Sequence, residues 1–171
     1  MRKPTGDPNM RCLNLHHGVN IPDSFMELID NCIKDPTYDD SWNLIDPHTK
    51  QIVRTVSAKE LWQRILENRV ATGEPYMCFI DTINNDLPQT LKDKQLKVHH
   101  SNLCTEITLP TNEQRTAVCC LSSVNLEKYD EWKDNTQFIA DLVRFLDNTL
   151  QHFIDNAPDE LSKAKFSAHQ E

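Results

Sequence analysis

The sequence predicts an α/β fold in which parallel strands alternate with helices. Alternating apolar residues Leu13, Leu15, Val19 and Ile21 suggest a strand across Cys12 to Ile21, broken or bent near Gly18. Directly after it, Phe25, Leu28, Ile29, Cys32 and Ile33 recur at helical intervals, and Tyr76 to Ile80 forms a compact strand segment between two turn clusters. Strand, helix, strand succession favours a layered α/β arrangement. The strands that can be recognised are too few for a closed barrel or a doubly wound sheet.

Taken in order, residues 1–10 contain Pro4, Gly6 and Pro8 and read as an irregular leader, with structure beginning near Arg11. Pro22 suits the first turn of the first helix, which Asp35-Pro36 ends. Trp42 to Ile45 form a short apolar segment before a turn at Asp46-Pro47, and the adjacent acids Asp39 and Asp40 read as a solvated turn. Ser57 with Glu60 forms a capping box, Leu61, Ile65 and Leu66 continue one helix face, and Gly73 supplies the stop. The stretch from Asn84 to His100 is polar and reads as a long irregular loop. It leads into a segment around Asn102 to Glu106 that is expected to be extended, followed by a strand over Thr116 to Leu121. A final helix from about Asp134 to Ile154 carries Phe138, Ile139, Leu142, Val143, Phe145, Leu146, Leu150 and Phe153, an arc wide enough to demand more than one neighbour.

The chain has 171 residues and a formal net charge of -8, with no basic stripe, which argues against nucleic-acid polymers and anionic membranes as partners. Arg2 and Lys3 are not followed by an apolar stretch, and no run approaches a membrane span, so a cytoplasmic protein is expected. In that setting the six cysteines, Cys12, Cys32, Cys78, Cys104, Cys119 and Cys120, read as mostly reduced thiols rather than a disulfide framework. Cys32 and Cys78 lie in apolar segments and are expected to pack as small hydrophobes. Three glycines cannot assemble a phosphate-binding loop, and the pairs His16-His17 and His99-His100 lack chelating spacing, so no cofactor or metal site is expected on this chain.

The chemistry concentrates between Ser101 and Leu126. An amide, a thiol and a carboxylate stand two residues apart at Asn102, Cys104 and Glu106, and alternate residues of an extended segment share a face. A sulfur able to lose a hydrogen, a base and an orienting amide would then converge. The vicinal pair Cys119-Cys120 follows, and adjacent residues of a strand face opposite sides, so one of the two can join that face.

Ser101-Asn102-Leu103-Cys104-Thr105-Glu106-Ile107, then Leu109-Pro110 and Ala117-Val118-Cys119-Cys120-Leu121-Ser122 running into Ser123-Val124-Asn125-Leu126, resembles the active-site stretch of ribonucleotide reductase large, catalytic subunits. The resemblance runs from about Asn9 to Glu171 and covers a middle piece of such a subunit. It implies that residues 11–171 are a fragment of the family's ten-stranded α/β barrel domain, not a complete domain. It also implies that Cys104 becomes the thiyl radical that removes the 3' hydrogen of the ribose. Glu106 would take the 3' hydroxyl proton, Asn102 would bind substrate and hold the base, and Cys119 would be one member of the reducing cysteine pair, selected over Cys120 by register against the family's Cys-x-Leu-Ser pattern.

Leu103 favours the class I type, with the radical supplied by the metal cofactor of a separate small subunit, over cobalamin-dependent relatives. The other implied partners are further fragments of the catalytic subunit, a thioredoxin or glutaredoxin type reductant and the ribonucleotide. The short linker Pro110 to Arg115 and Glu127, where a glycine is common, depart from the family pattern. No segment resembles the family's second redox cysteine, phosphate loop, C-terminal cysteine pair or allosteric site, and the context of Cys12 does not match that redox cysteine. The chain is therefore expected to be one piece of a divided catalytic subunit, active only with complementing chains and prone to associate when alone. The competing readings are a non-catalytic assembly or regulatory fragment and an unrelated thiol or zinc module.

Overall fold

The computed structural model describes residues 15–170. The expected leader, Cys12 and the start of the first expected strand lie outside the described residues. The described residues divide into two compact units, residues 15–89 with 98–108 and residues 90–97 with 109–170.

In the first unit, β1 (Gly18–Ile21) leads through Pro22 into helix α1 (Asp23–Lys34). A hairpin follows, β2 (Ser41–Ile45) against β3 (Ile52–Ser57), and then α2 (Ala58–Thr72), β4 (Tyr76–Phe79) and the short helix α3 (Ile80–Asn85). Strand β4 pairs in parallel with β1, from Gly18 opposite Tyr76 to Ile21 opposite Phe79. The expected strand, helix, strand succession is therefore present, and its two strands do lie parallel. The hairpin partner β3 escaped the sequence reading, although Ile52, Val53, Thr55 and Val56 form a β-branched run suited to a strand.

The two faces of the β1–β4 pair have different neighbours, as the two-residue period requires. Val19, Ile21 and Met77 join a core built by Phe25 and Ile29 of α1 and Ala58, Leu61 and Trp62 of α2. Phe25 sits edge-on to Trp42 and Trp62, with ring centroids 5.0 and 6.2 Å away. Gly18, Asn20, Tyr76 and Cys78 instead line a cavity.

Helix α2 begins and ends as its sequence predicts. The Ser57 hydroxyl accepts from the Glu60 amide at 3.1 Å, and Gly73 adopts the left-handed conformation at φ 77°. Asp40 is more than a solvated turn residue: it accepts from the Ser57 hydroxyl and from the Lys59 amide, tying the hairpin to the start of α2. The Ser57 hydrogen bond holds the Asp40 carboxyl below its usual range.

The second unit contains most of α4 (Gln89–Asp93), a helical turn at α5 (Tyr129–Trp132), the long α6 (Phe138–Asn156) and α7 (Ser162–Gln170). Together with α3, helix α4 replaces part of the loop expected between Asn84 and His100. The Ser167 hydroxyl of α7 accepts from the Thr116 amide at 3.1 Å, and the Arg115 guanidinium lies 4.9 Å from the Phe166 ring centre, so α7 anchors the turn at residues 112–116.

Two further expectations are corrected here. Residues 116–121 form no strand, because no described strand offers them a hydrogen-bonding partner and an extended segment without a ladder is not a sheet. Helix α6 has the broad apolar arc that was predicted, yet none of its residues is buried and Phe145 is 66% exposed. Only α7, a nine-residue helix, packs extensively against it among the described elements, which leaves Ile139, Val143 and Phe145 exposed and the rest of the arc half-buried. The described residues form no closed barrel.

Ser57→Ala is expected to lower stability by about 1 kcal/mol at neutral pH through loss of the cap. Because Asp40 is held below its ordinary value of 3.8, its contribution is in place above that pH and is lost as the pH falls through the depressed value. Denaturant titrations should therefore show the gap between wild type and Ser57→Ala narrowing on acidification.

Candidate active site

The cavity on the second face of the β1–β4 pair has a volume of about 340 Å³. His16, His17 and Asn20 from the β1 side line it with Tyr76 and Cys78 of β4 and with Ser101, Asn102, Leu103 and Thr105. Glu74, whose side chain is 5% exposed, lies beneath the two histidines, 2.9 Å from His16 Nδ1 and 3.4 Å from His17 Nδ1. Burial pushes the Cys78 thiol up, which keeps it neutral and inert as a packing group. Cys32 is buried as well, so both cysteines sit as the sequence led one to expect.

Asn102 to Glu106 do not form the extended segment that was expected. The Thr105 amide donates to the Asn102 carbonyl at 3.1 Å, closing a turn, and Thr105 has a φ of 66°. A β-branched residue in the left-handed region is strained, and such strain persists only where surrounding contacts enforce it. Those contacts are visible. The Ser101 hydroxyl donates to the Ile107 carbonyl at 2.6 Å, and the Ile107 amide donates to Asn102 Oδ1 at 3.2 Å. The strand expectation failed because the side chains of Ser101 and Asn102 satisfy the backbone that a sheet partner would otherwise take.

The turn still unites two of the three predicted residues. Asn102 Nδ2 donates to Glu106 Oε1 at 2.6 Å, so the amide holds the carboxylate even without strand alternation. Cys104 lies between them in the turn, and its thiol is exposed and free. Cys104 and Glu106 are not among the residues that line the cavity, whereas Asn102 and Thr105 are. Cys119 belongs to the second unit; it is exposed and Cys120 half-buried, and both are free thiols. Among the described residues no group of three or more His, Cys, Asp or Glu side chains could hold a metal ion. No described helix is long and apolar enough to cross a membrane.

Sequence reading missed the residues that hold the approach to this turn. Asn84, at the end of α3, accepts from the Val98 amide at 2.9 Å and donates to the Val98 carbonyl at 3.0 Å. Asn20 of β1 donates to the His99 carbonyl at 2.8 Å. An asparagine in a strand or a short helix carries no local signal of such a long-range bond.

A parallel strand pair backed by helices is the kind of unit from which α/β layers are built, and a turn carrying a free thiol and an amide-held carboxylate follows it in the same unit. The family model for the ribonucleotide reductase barrel domain matches residues 1–171, and the chain belongs to that family. It is 64% identical over 104 residues to the ribonucleoside-diphosphate reductase large subunit of Invertebrate iridescent virus 6, covering 61% of this chain and 11% of the relative. Identity to the large subunit of Invertebrate iridescent virus 3 is 43% over 217 aligned positions, covering 99% of this chain and 34% of the relative. The class Id ribonucleotide reductase alpha subunit of Actinobacillus ureae is similar in structure, with a TM-score of 0.67 and 34% identity over 90% of this chain and 25% of that one. The chain thus spans about a third or less of the length of the relatives it matches.

The burial differences make a direct expectation for thiol chemistry. Exposed Cys104 and Cys119 should react with iodoacetamide at least about tenfold faster than buried Cys32 and Cys78, read by peptide mass spectrometry on the folded chain.

Proposed function

We propose that this chain supplies the radical-bearing turn of the catalytic subunit of a class I type ribonucleoside-diphosphate reductase, and that residues 11–171 act as part of its barrel domain. The observation that carries the reading is the hydrogen bond from Asn102 to Glu106 across a strained turn that holds Cys104. A separate metal-containing small subunit supplies the radical to the Cys104 sulfur. The sulfur takes the 3' hydrogen of the ribose, forming an S–H bond and leaving a carbon radical at C3'. Glu106 accepts the 3' hydroxyl proton, a general-base role that needs the carboxylate fixed within hydrogen-bond reach, and Asn102 fixes it. The 2' hydroxyl departs as water. Cys119, with a second cysteine from a complementing chain, supplies two electrons and two protons and is oxidised to a disulfide. Cys104 then returns its hydrogen to C3' and regains the radical, while Glu106 returns the proton to the 3' oxygen.

A thioredoxin or glutaredoxin type protein would reduce that disulfide, and the reaction belongs in the cytoplasm. Complementing chains are also the natural cover for the exposed arc of α6, since apolar patches of this kind on soluble proteins mark interaction surfaces. A non-catalytic assembly role is the second reading, favoured by the exposure of Cys119 and of α6.

Reconstitution with the complementing chains, the small subunit and a reductant tests this. The chain alone should associate and show no reduction of ribonucleoside diphosphates. In the complete complex Cys104→Ser should abolish reduction, and Glu106→Gln should lower kcat by about 10²–10⁴-fold. Undiminished reduction with Cys104→Ser would favour the assembly role.

A further inference from the structure

The turn from Ser101 to Ile107 is closed on itself, so its internal bonds fix its shape but not its place against the cavity. Its place depends on where the chain re-enters the first unit, at Val98. Val98 is fully buried and belongs to no helix or strand. Buried backbone groups need partners, and those of Val98 find both in one side chain. Asn84 accepts from its amide and donates to its carbonyl while also donating to the Ile80 carbonyl at 2.8 Å. The next residue is pinned separately, by Asn20 of β1 on the His99 carbonyl.

Two adjacent residues, Val98 and His99, are therefore held by amides from two different elements, a few residues before Asn102. We propose that Asn84, assisted by Asn20, is a positioning residue for the reaction: it sets where the Cys104 turn stands relative to the ribose. This rests on the reading of that turn as catalytic. Neither asparagine touches the reacting atoms. Each acts by fixing the backbone from which Asn102, Cys104 and Glu106 project, and a displacement of about 1 Å in reacting geometry can cost about a hundredfold in rate.

The chemistry of the amide dictates the variants. Asn84→Leu removes every bond to Val98. Asn84→Asp keeps the acceptor for the Val98 amide but turns an oxygen toward two carbonyls that need a donor. In the complete complex, assayed well below its melting temperature, both variants should lower kcat by about a hundredfold while KM for the ribonucleotide changes less than about threefold. Asn20→Ala should lower kcat by about tenfold. Asn68→Ala, which deletes a comparable bond to the Arg64 carbonyl within α2, should leave kcat unchanged.

Hydrogen exchange supplies a readout independent of activity. In Asn84→Leu the Val98 amide should lose protection while the Ile107 amide keeps it, because the turn moves without opening. An unchanged kcat in folded Asn84→Leu and Asn84→Asp, or a rise in KM alone, would overturn the positioning role. Unaltered Val98 protection would overturn the clasp itself. Absence of reduction by the wild-type complex would overturn the reading of the turn, and with it the positioning role, while the exchange experiment would still decide the clasp.

Discussion

The parallel pairing of β1 with β4 is the constraint on which the first unit depends. Parallel neighbours cannot be joined by a tight turn, so the chain between them must cross over, and here it spends α1, a hairpin and α2 in doing so. Those helices bury one face of the pair under Phe25, Ile29 and Trp62. The other face is left to Gly18, Asn20, Tyr76 and Cys78, and a cavity forms over it. A slip of one residue in β1 would exchange its two faces, placing Asn20 in the core and Ile21 in the cavity. Register thus couples stability to the site.

The site itself is built from side chains that do the work of a missing sheet. Ser101, Asn102, Asn84 and Asn20 satisfy backbone groups that a neighbouring strand would ordinarily take. The result is a rigid turn in which Thr105 is forced to a positive φ and Asn102 faces Glu106. A carboxylate held by a fixed amide loses little freedom when it accepts a proton from a bound hydroxyl, which is what a general base needs. The buried Glu74 carboxylate lies within hydrogen-bond distance of His16 and His17, which line the same cavity.

Much of this was legible in the sequence, and the exceptions share a cause. Local signals worked: Ser57 and Gly73 bound α2, Pro22 opens α1, and Tyr76 to Phe79 is a strand. The words around Cys104 and Cys119 pointed to the right family. What failed required knowledge of partners. Residues 102–106 and 116–121 have strand-like patterns, but a strand exists only where a second one accepts it, and side chains or no described strand took that place. The arc of α6 promised burial that its own unit does not provide. Asn84 was invisible because its bond to Val98 spans fourteen residues and leaves no periodic trace.

The most direct measurement is the structure of the complete catalytic subunit that contains these residues with a bound ribonucleoside diphosphate. The account predicts the ribose C3' at about 3–3.5 Å from the Cys104 sulfur, in near-attack geometry, with the 3' hydroxyl hydrogen-bonded to Glu106 and Asn102 still holding that carboxylate. A ribose bound away from the turn, or a Cys104 side chain directed away from C3' while Glu106 remains in place, would contradict it.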